Sequence, residues 1–269
     1  MVKTQMDIET YMENTLRELE TLYHQMANRI ESPVLCDIGG YGGFRYPTQS
    51  AALACFLKGI KIVSSLNAWM ILLRAGYVQE IGALCRMIDD YYNEILFLYK
   101  PQDGNELSKD QKQFLDDFFK EELDKPMDPL GSSQKRTNVP VKKIHATFGK
   151  IVESELNPSD AQEMLRTSHQ INSGYVHGAY PHIMELFGGN PPHFHLTGML
   201  RTPRIDEWTS RMVDHICGAL MVSIGVAEKL GLQDIKEDIL RLKRKFETDM
   251  NLVSPKTPAR MLDEMKRKS

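Results

Sequence analysis

Residues 48–73 read TQSAALACFLKGIKIVSSLNAWMILL. Apolar side chains recur at Leu53, Phe56, Leu57, Ile60, Val63, Leu66, Met70 and Leu73, in steps of three and four with one adjacent pair. That spacing lays an apolar stripe along one side of a helix. Gly76 marks a turn, and a second stripe follows at once: Ile81, Leu84, Cys85, Ile88, Tyr92, Ile95 and Leu98 share a face over Gln79–Tyr99. Two such helices with a short break between them fold back on each other. The antiparallel pair Thr48–Leu73 and Gln79–Tyr99 is therefore expected at the heart of an all-α, multi-helix bundle with at most one short strand pair.

The same periodicity extends outward in both directions. A helix is expected over Asp7–Glu31. Pro33, the run Gly39-Gly40-Tyr41-Gly42-Gly43 and Pro47 then read as a flexible loop. That run lacks the ending of a phosphate-binding P-loop. A charged helix covers Lys109–Leu123, and residues 124–140, rich in Pro, Gly, Ser and Lys, read as a linker or mobile loop. Helices resume at Val141–Val152 and at Pro158–His177, where Asn157 can cap and Pro158 suits the first turn. An irregular region with Pro181, Gly188, Gly189, Pro191 and Pro192 allows a short strand at His193–Leu196. A long helix over Ile205–Leu230, stopped at Gly231, precedes a basic helical tail near 233–269. The whole reads as one all-helical domain.

Composition narrows the function classes. The 269 residues are 42% hydrophobic and 26% charged, which suits a folded globule and not a disordered chain. The net charge of −3 does not mark the protein as a whole for nucleic acid. Basic clusters nevertheless occur at Arg241/Lys243/Arg244/Lys245, at Lys266/Arg267/Lys268 and at Lys135/Arg136/Lys142/Lys143. They read first as solvated faces and second as phosphate contacts. No apolar leader opens the chain, and the best membrane candidate, Ile60–Leu73, is short and reads as a core helix. Cys36, Cys55, Cys85 and Cys217 form no C-x-x-C pair and read as free thiols of a reducing, cytoplasmic compartment.

Two polar stripes carry the chemistry. On the Pro158–His177 helix, Arg166, His169, Ser173 and His177 fall within a narrow arc at 100° per residue, with Tyr175 nearer the apolar side. A cation, a hydroxyl and two imidazoles in line suit phosphate binding or proton transfer. On the Gln79–Tyr99 helix, Arg86, Asp89, Asp90 and Asn93 oppose the apolar stripe, with Glu80 at its margin and Arg74 near enough to join. Facing each other, the stripes would form a charged pocket between helices; facing water, they would be ordinary polar surfaces. Late histidines at 169, 177, 182, 193, 195 and 215 have some metal-compatible spacings, but no H-E-x-x-H or Glu-x-x-His pair is present. No metal ligand set and no cofactor are expected.

Two segments also carry a resemblance. Arg74 through Glu80 and Arg86 to Asp90, followed by Ser173-Gly174-Tyr175-Val176-His177-Gly178, resemble motifs of bacterial all-helical proteins related to the HEPN superfamily. The match covers Ala51–Gly178. Many HEPN proteins are RNases, toxins or phage-defence components. The resemblance implies a helical fold and a protein that binds or acts on RNA or nucleotides, in a defence or toxin context. His177, His169, Arg166 and Glu80 would be its catalytic groups, and Arg74, Arg86, Asp90, Ser173 and Tyr175 its substrate contacts. The HEPN hallmark, an arginine and a histidine with four to six residues between them on a late helix, is absent. Arg211 to His215 is one residue short and Arg166 to His169 two short. Two other readings stay open: a non-catalytic helical interaction or accessory protein, with a homodimer as one form, and a metal-dependent enzyme using the late histidines.

Overall fold

The computed structural model describes residues 5–99, 106–151 and 157–252. The expected basic tail beyond residue 252, with Lys266, Arg267 and Lys268, lies outside the described residues. The helices in chain order are α1 (Gln5–Ala27), α2 (Ala51–Ala75), α3 (Val78–Tyr99), α4 (Lys109–Phe119), α5 (Val141–Ile151), α6 (Pro158–Val176), α7 (Tyr180–Met184), α8 (Pro203–Lys229) and α9 (Gln233–Asp249). The fold is a mostly helical bundle.

The apolar stripe understates how deeply α2 is enclosed. Leu53, Phe56, Val63, Leu66, Met70 and Leu73 are buried as expected, while Ile60 turns to solvent. Ala54, Cys55, Lys58, Gly59, Ile62, Ser65 and Trp69 are buried too. The helix is therefore covered over most of its circumference, by α1, α3, α4 and α8. Its start is fixed by Ser50, whose hydroxyl accepts from the Leu53 amide at 3.1 Å. Trp69 meets Trp208 of α8 edge to face, ring centres 5.9 Å apart. On the outside, α1 bridges α2 and α9, with Tyr11 stacked on Phe246 and its hydroxyl donating to Asp249 at 2.6 Å. Two of these helices, Ala51–Ala75 and Pro203–Lys229, have the length and apolar content of a membrane span. About half of each apolar window is buried in the bundle (56% and 50%), as in core helices of a folded chain.

Two strand pairs are present where one was expected. The supposed glycine loop is a hairpin of β1 (Val34–Ile38) and β2 (Tyr41–Arg45), paired antiparallel from Val34 with Arg45 to Ile38 with Tyr41. Gly39 and Gly40, at φ +60° and +98°, form its two-residue tip. Val34–Ile38 shows no in–out alternation of burial, and the glycines of the returning strand read as a loop, so periodicity does not mark this hairpin. The second pair is β3 (Phe187–Gly188) with β4 (His193–Phe194). The 124–140 segment is held by side chains: Ser132 and Ser133 hydroxyls donate to Asp124, and Asp117 accepts from the Thr137 hydroxyl at 3.1 Å and the Asn138 amide at 3.0 Å.

The α2–α3 turn is tight. Gly76 ends α2 in the left-handed region at φ +79°, its amide bonded back to Leu72 and Leu73. Its carbonyl accepts from the Met199 amide at 2.7 Å, tying the distant 195–202 segment to this corner. A Cβ at Gly76 would sit 2.7 Å from that amide nitrogen. Gly76→Ala combines backbone strain with a backbone clash, so it is expected to cost about 2–4 kcal/mol in denaturant unfolding. A change below about 0.5 kcal/mol would contradict this account of the corner.

Candidate functional site

The polar face of α3 turns inward, toward α6. Ser173 accepts a hydrogen bond from Arg86 Nε at 3.2 Å. Arg86 Nη2 donates to His169 Nε2, and Arg86 Nη1 contacts Asp90 one turn along α3. An imidazole nitrogen that accepts from a guanidinium carries no proton. His169 Nδ1, 3.4 Å from Ser173 Oγ, is then the protonated nitrogen and points its N–H at the serine. Burial, with the neighbouring Arg86 cation, holds His169 below the ordinary imidazole range. Burial raises Asp90 despite its arginine.

α5 closes the seam from the third side. His145 is buried and meets His169 edge to face at 5.7 Å. Burial, with His169 and Arg86 beside it, pushes His145 down to about 4. Both imidazoles are thus neutral at pH 7.

A second layer lies deeper, against α8. Asn172 donates to Asp89 Oδ2 at 2.8 Å. The His215 Nδ1–H donates to the Arg211 carbonyl at 2.8 Å, which leaves Nε2 facing Asp89 Oδ1 and the Cys85 sulfur, each 3.2 Å away. Burial alone would lower His215, but Cys85 and Asp89 outweigh it and hold the ring well above its ordinary value. A third layer joins Lys58 of α2 to Glu94 of α3 at 2.6 Å, with the ammonium 4.6 Å from the Phe118 ring centre and 5.3 Å from that of Phe114. Burial raises Glu94.

The structure therefore gathers Arg86, Asp90, His169 and Ser173 at one place and puts the other expected site residues elsewhere. Arg166 is exposed and bonded to Glu163 and Gln170 of its own helix. His177 is exposed at the C-terminal cap of α6. Glu80 is exposed in the first turn of α3. Arg74 reaches α1, where Glu13 accepts its Nη2 at 2.6 Å. Tyr175 lies on a different face of α6: its ring sits over Gly82, against Trp208 and His182, and its hydroxyl donates to Glu185 at 3.1 Å. His145, Asn172 and the Lys58–Glu94 pair carried no sequence signal. A lone histidine on an amphipathic helix looks like any other polar position, and Lys58 sits at ordinary helical spacing.

Among the described residues, no group of three or more His, Cys, Asp or Glu side chains could hold a metal ion. The late histidines are dispersed: His215 is in the α8 core, His193 and His195 lie at the second hairpin with tilted rings 4.3 Å apart, and His182 packs on Tyr175. In the two basic clusters among the described residues, several charges are paired locally, as with Lys243–Glu247, Lys245–Glu18, Arg136–Glu122 and Lys143–Asp110. No family model, curated protein or solved structure matches the chain.

The neutral histidines have a measurable cost in acid. An unfolded histidine titrates near 6.5. Between that value and about 4, the unfolded chain binds a proton that folded His145 refuses, so stability falls as pH falls through this window. His169 acts in the same direction. Asp90 and Glu94, raised in the folded state, act in the opposite one. The clean readout is therefore a difference between proteins: from pH 7 to pH 4, wild type is expected to lose up to about 3 kcal/mol more than His145→Leu in urea unfolding. Parallel stability profiles would contradict a buried neutral His145.

Proposed function

We propose that the α3–α6 seam is a phosphate-directed site, and that the protein is a HEPN-like helical protein that binds or acts on RNA or nucleotides in the cytoplasm. The observation that carries this reading is the Arg86–His169–Ser173 arrangement. Arg86 holds the lone pair of a neutral imidazole, and the serine hydroxyl accepts from both. An incoming phosphate competes for the guanidinium, which is better matched to a phosphate than to an imidazole. Release of Arg86 frees His169 Nε2 as a base next to the bound anion. The two apolar helices long enough for a membrane are read as core helices, in keeping with a soluble protein.

A second reading is favoured by one specific feature. Arg86 Nε and Nη2 donate to Ser173 and His169 of α6 while Nη1 faces Asp90 as an ion pair, as expected of a lock that fixes the register of α6 on α3 in a non-catalytic interaction module. Single-stranded RNA separates the two. Under the phosphate reading, wild type binds or cleaves it, His169→Gln loses about 100-fold or more of any cleavage, and His177→Ala behaves as wild type. Far-UV circular dichroism must show both variants folded. Wild type that neither binds nor cleaves RNA, or His169→Gln that matches it, supports the interaction module instead.

A further inference from the structure

The segment between α6 and α8 does not enter the seam; it lines a cavity of about 560 Å³ with the start of α8. That volume lies within the rough 300–1,000 Å³ range of small-molecule sites. Its walls are apolar at Met184, Phe187, Met199 and Pro203, and basic at Arg201 and Arg204. We propose that this cavity binds a small aromatic anion, a flat ring bearing a phosphate or a carboxylate, with Arg201 as its main cation.

The two arginines differ in a way that points to a ligand. Glu185 accepts from Tyr175 at 3.1 Å and Gln79 at 3.2 Å and forms an ion pair with Arg204 at 3.3 Å. Arg204 is further held by Glu207 at 3.2 Å. Those contacts fix one side of the cavity and spend its carboxylate. The Arg201 side chain, in contrast, makes no hydrogen bond or ion pair with any other described residue. Its backbone lies in the left-handed region at φ 64°, which L side chains rarely adopt, so the chain keeps an unpartnered cation at a strained position. The position is not a loose one. The Met199 amide is bonded to Gly76, and the Thr202 hydroxyl donates to the Met199 carbonyl at 2.7 Å, so both flanks of Arg201 are anchored.

The ligand chemistry follows from the two kinds of wall. A guanidinium fork matches the paired oxygens of a carboxylate or phosphate. Phe187 offers an aromatic face or edge to a ring, and the two methionines give adaptable apolar contact. His195, also in the lining, can add a further hydrogen bond. An inorganic anion would use only the basic wall, and a neutral ring only the apolar one. None of these residues belongs to the Arg86–His169 seam, so the inference does not rest on the RNA reading.

Titration calorimetry on the full chain tests it, with phenyl phosphate, benzoate and inorganic phosphate as probes. At least one aryl anion should bind about tenfold more tightly than inorganic phosphate. Arg201→Gly should weaken aryl-anion binding about tenfold or more. Glycine is at ease at φ 64°, so this variant should keep the wild-type melting temperature. Phe187→Ala should weaken the aryl anions but not inorganic phosphate. His169→Gln should change none of these affinities, which separates this cavity from the seam. The proposal is overturned if neither aryl anion binds at millimolar concentration, if Arg201→Gly binds as wild type, or if inorganic phosphate binds as tightly as the aryl anions.

Discussion

The bundle is organised around α2, whose apolar surface is too wide for one neighbour to cover. Leu53, Phe56, Ile62, Leu66, Trp69 and Leu73 are enclosed by α1, α3, α4 and α8, and only the stripe through Ile60, Ser64 and Ile71 faces water. The one buried charge of α2, Lys58, is handled by an ion pair to Glu94 and an aromatic box from α3 and α4. Leaving that ammonium unpaired would cost several kcal/mol. The requirement fixes how α3 and α4 lie against α2, and with it the direction in which the remaining faces of α3 point.

One of those faces is charged, and it is largely covered, with Arg86 16% and Asp90 36% exposed at its open edge. α6, α5 and α8 cover it and supply partners: Ser173 and His169 to Arg86, Asn172 to Asp89, and His215 to Asp89. The seam therefore locates α6 by hydrogen bonds as well as by packing. Buried polar groups are costly when unpaired and specific when paired. The opposite shifts of His145 and His215 belong to the same design. One ring faces a guanidinium and another imidazole and stays neutral; the other faces a carboxylate and a sulfur and favours its proton.

Much of this was legible in the sequence, for physical reasons that also mark where legibility ended. Long runs of threes and fours located α2 and α3 to within a few residues, and the same period put Arg86 beside Asp90 and His169 beside Ser173. The period says nothing about distance along an axis. Arg166 and His177 share an azimuth with His169, but they lie about 16 Å apart along α6. α3 meets only the stretch between them, so both ends of the stripe project into water. Arg74 was misplaced for a related reason: it sits at the end of α2, where the nearest carboxylates belong to α1. His145, which closes the seam, could not be read because its importance lies wholly in a tertiary neighbour. The first hairpin was hidden by glycines that read more strongly as a loop than as a strand.

Under the proposed function, Arg86 restrains His169 until a phosphate takes its place. Nitrogen NMR of the His169 ring, titrated with and without a short single-stranded RNA, tests this directly. The free protein should show Nε2 unprotonated and a pKa below 6.5. Saturating RNA should raise that pKa, because the phosphate draws Arg86 away and adds its own negative charge. A His169 titration curve unchanged by RNA would contradict the claim.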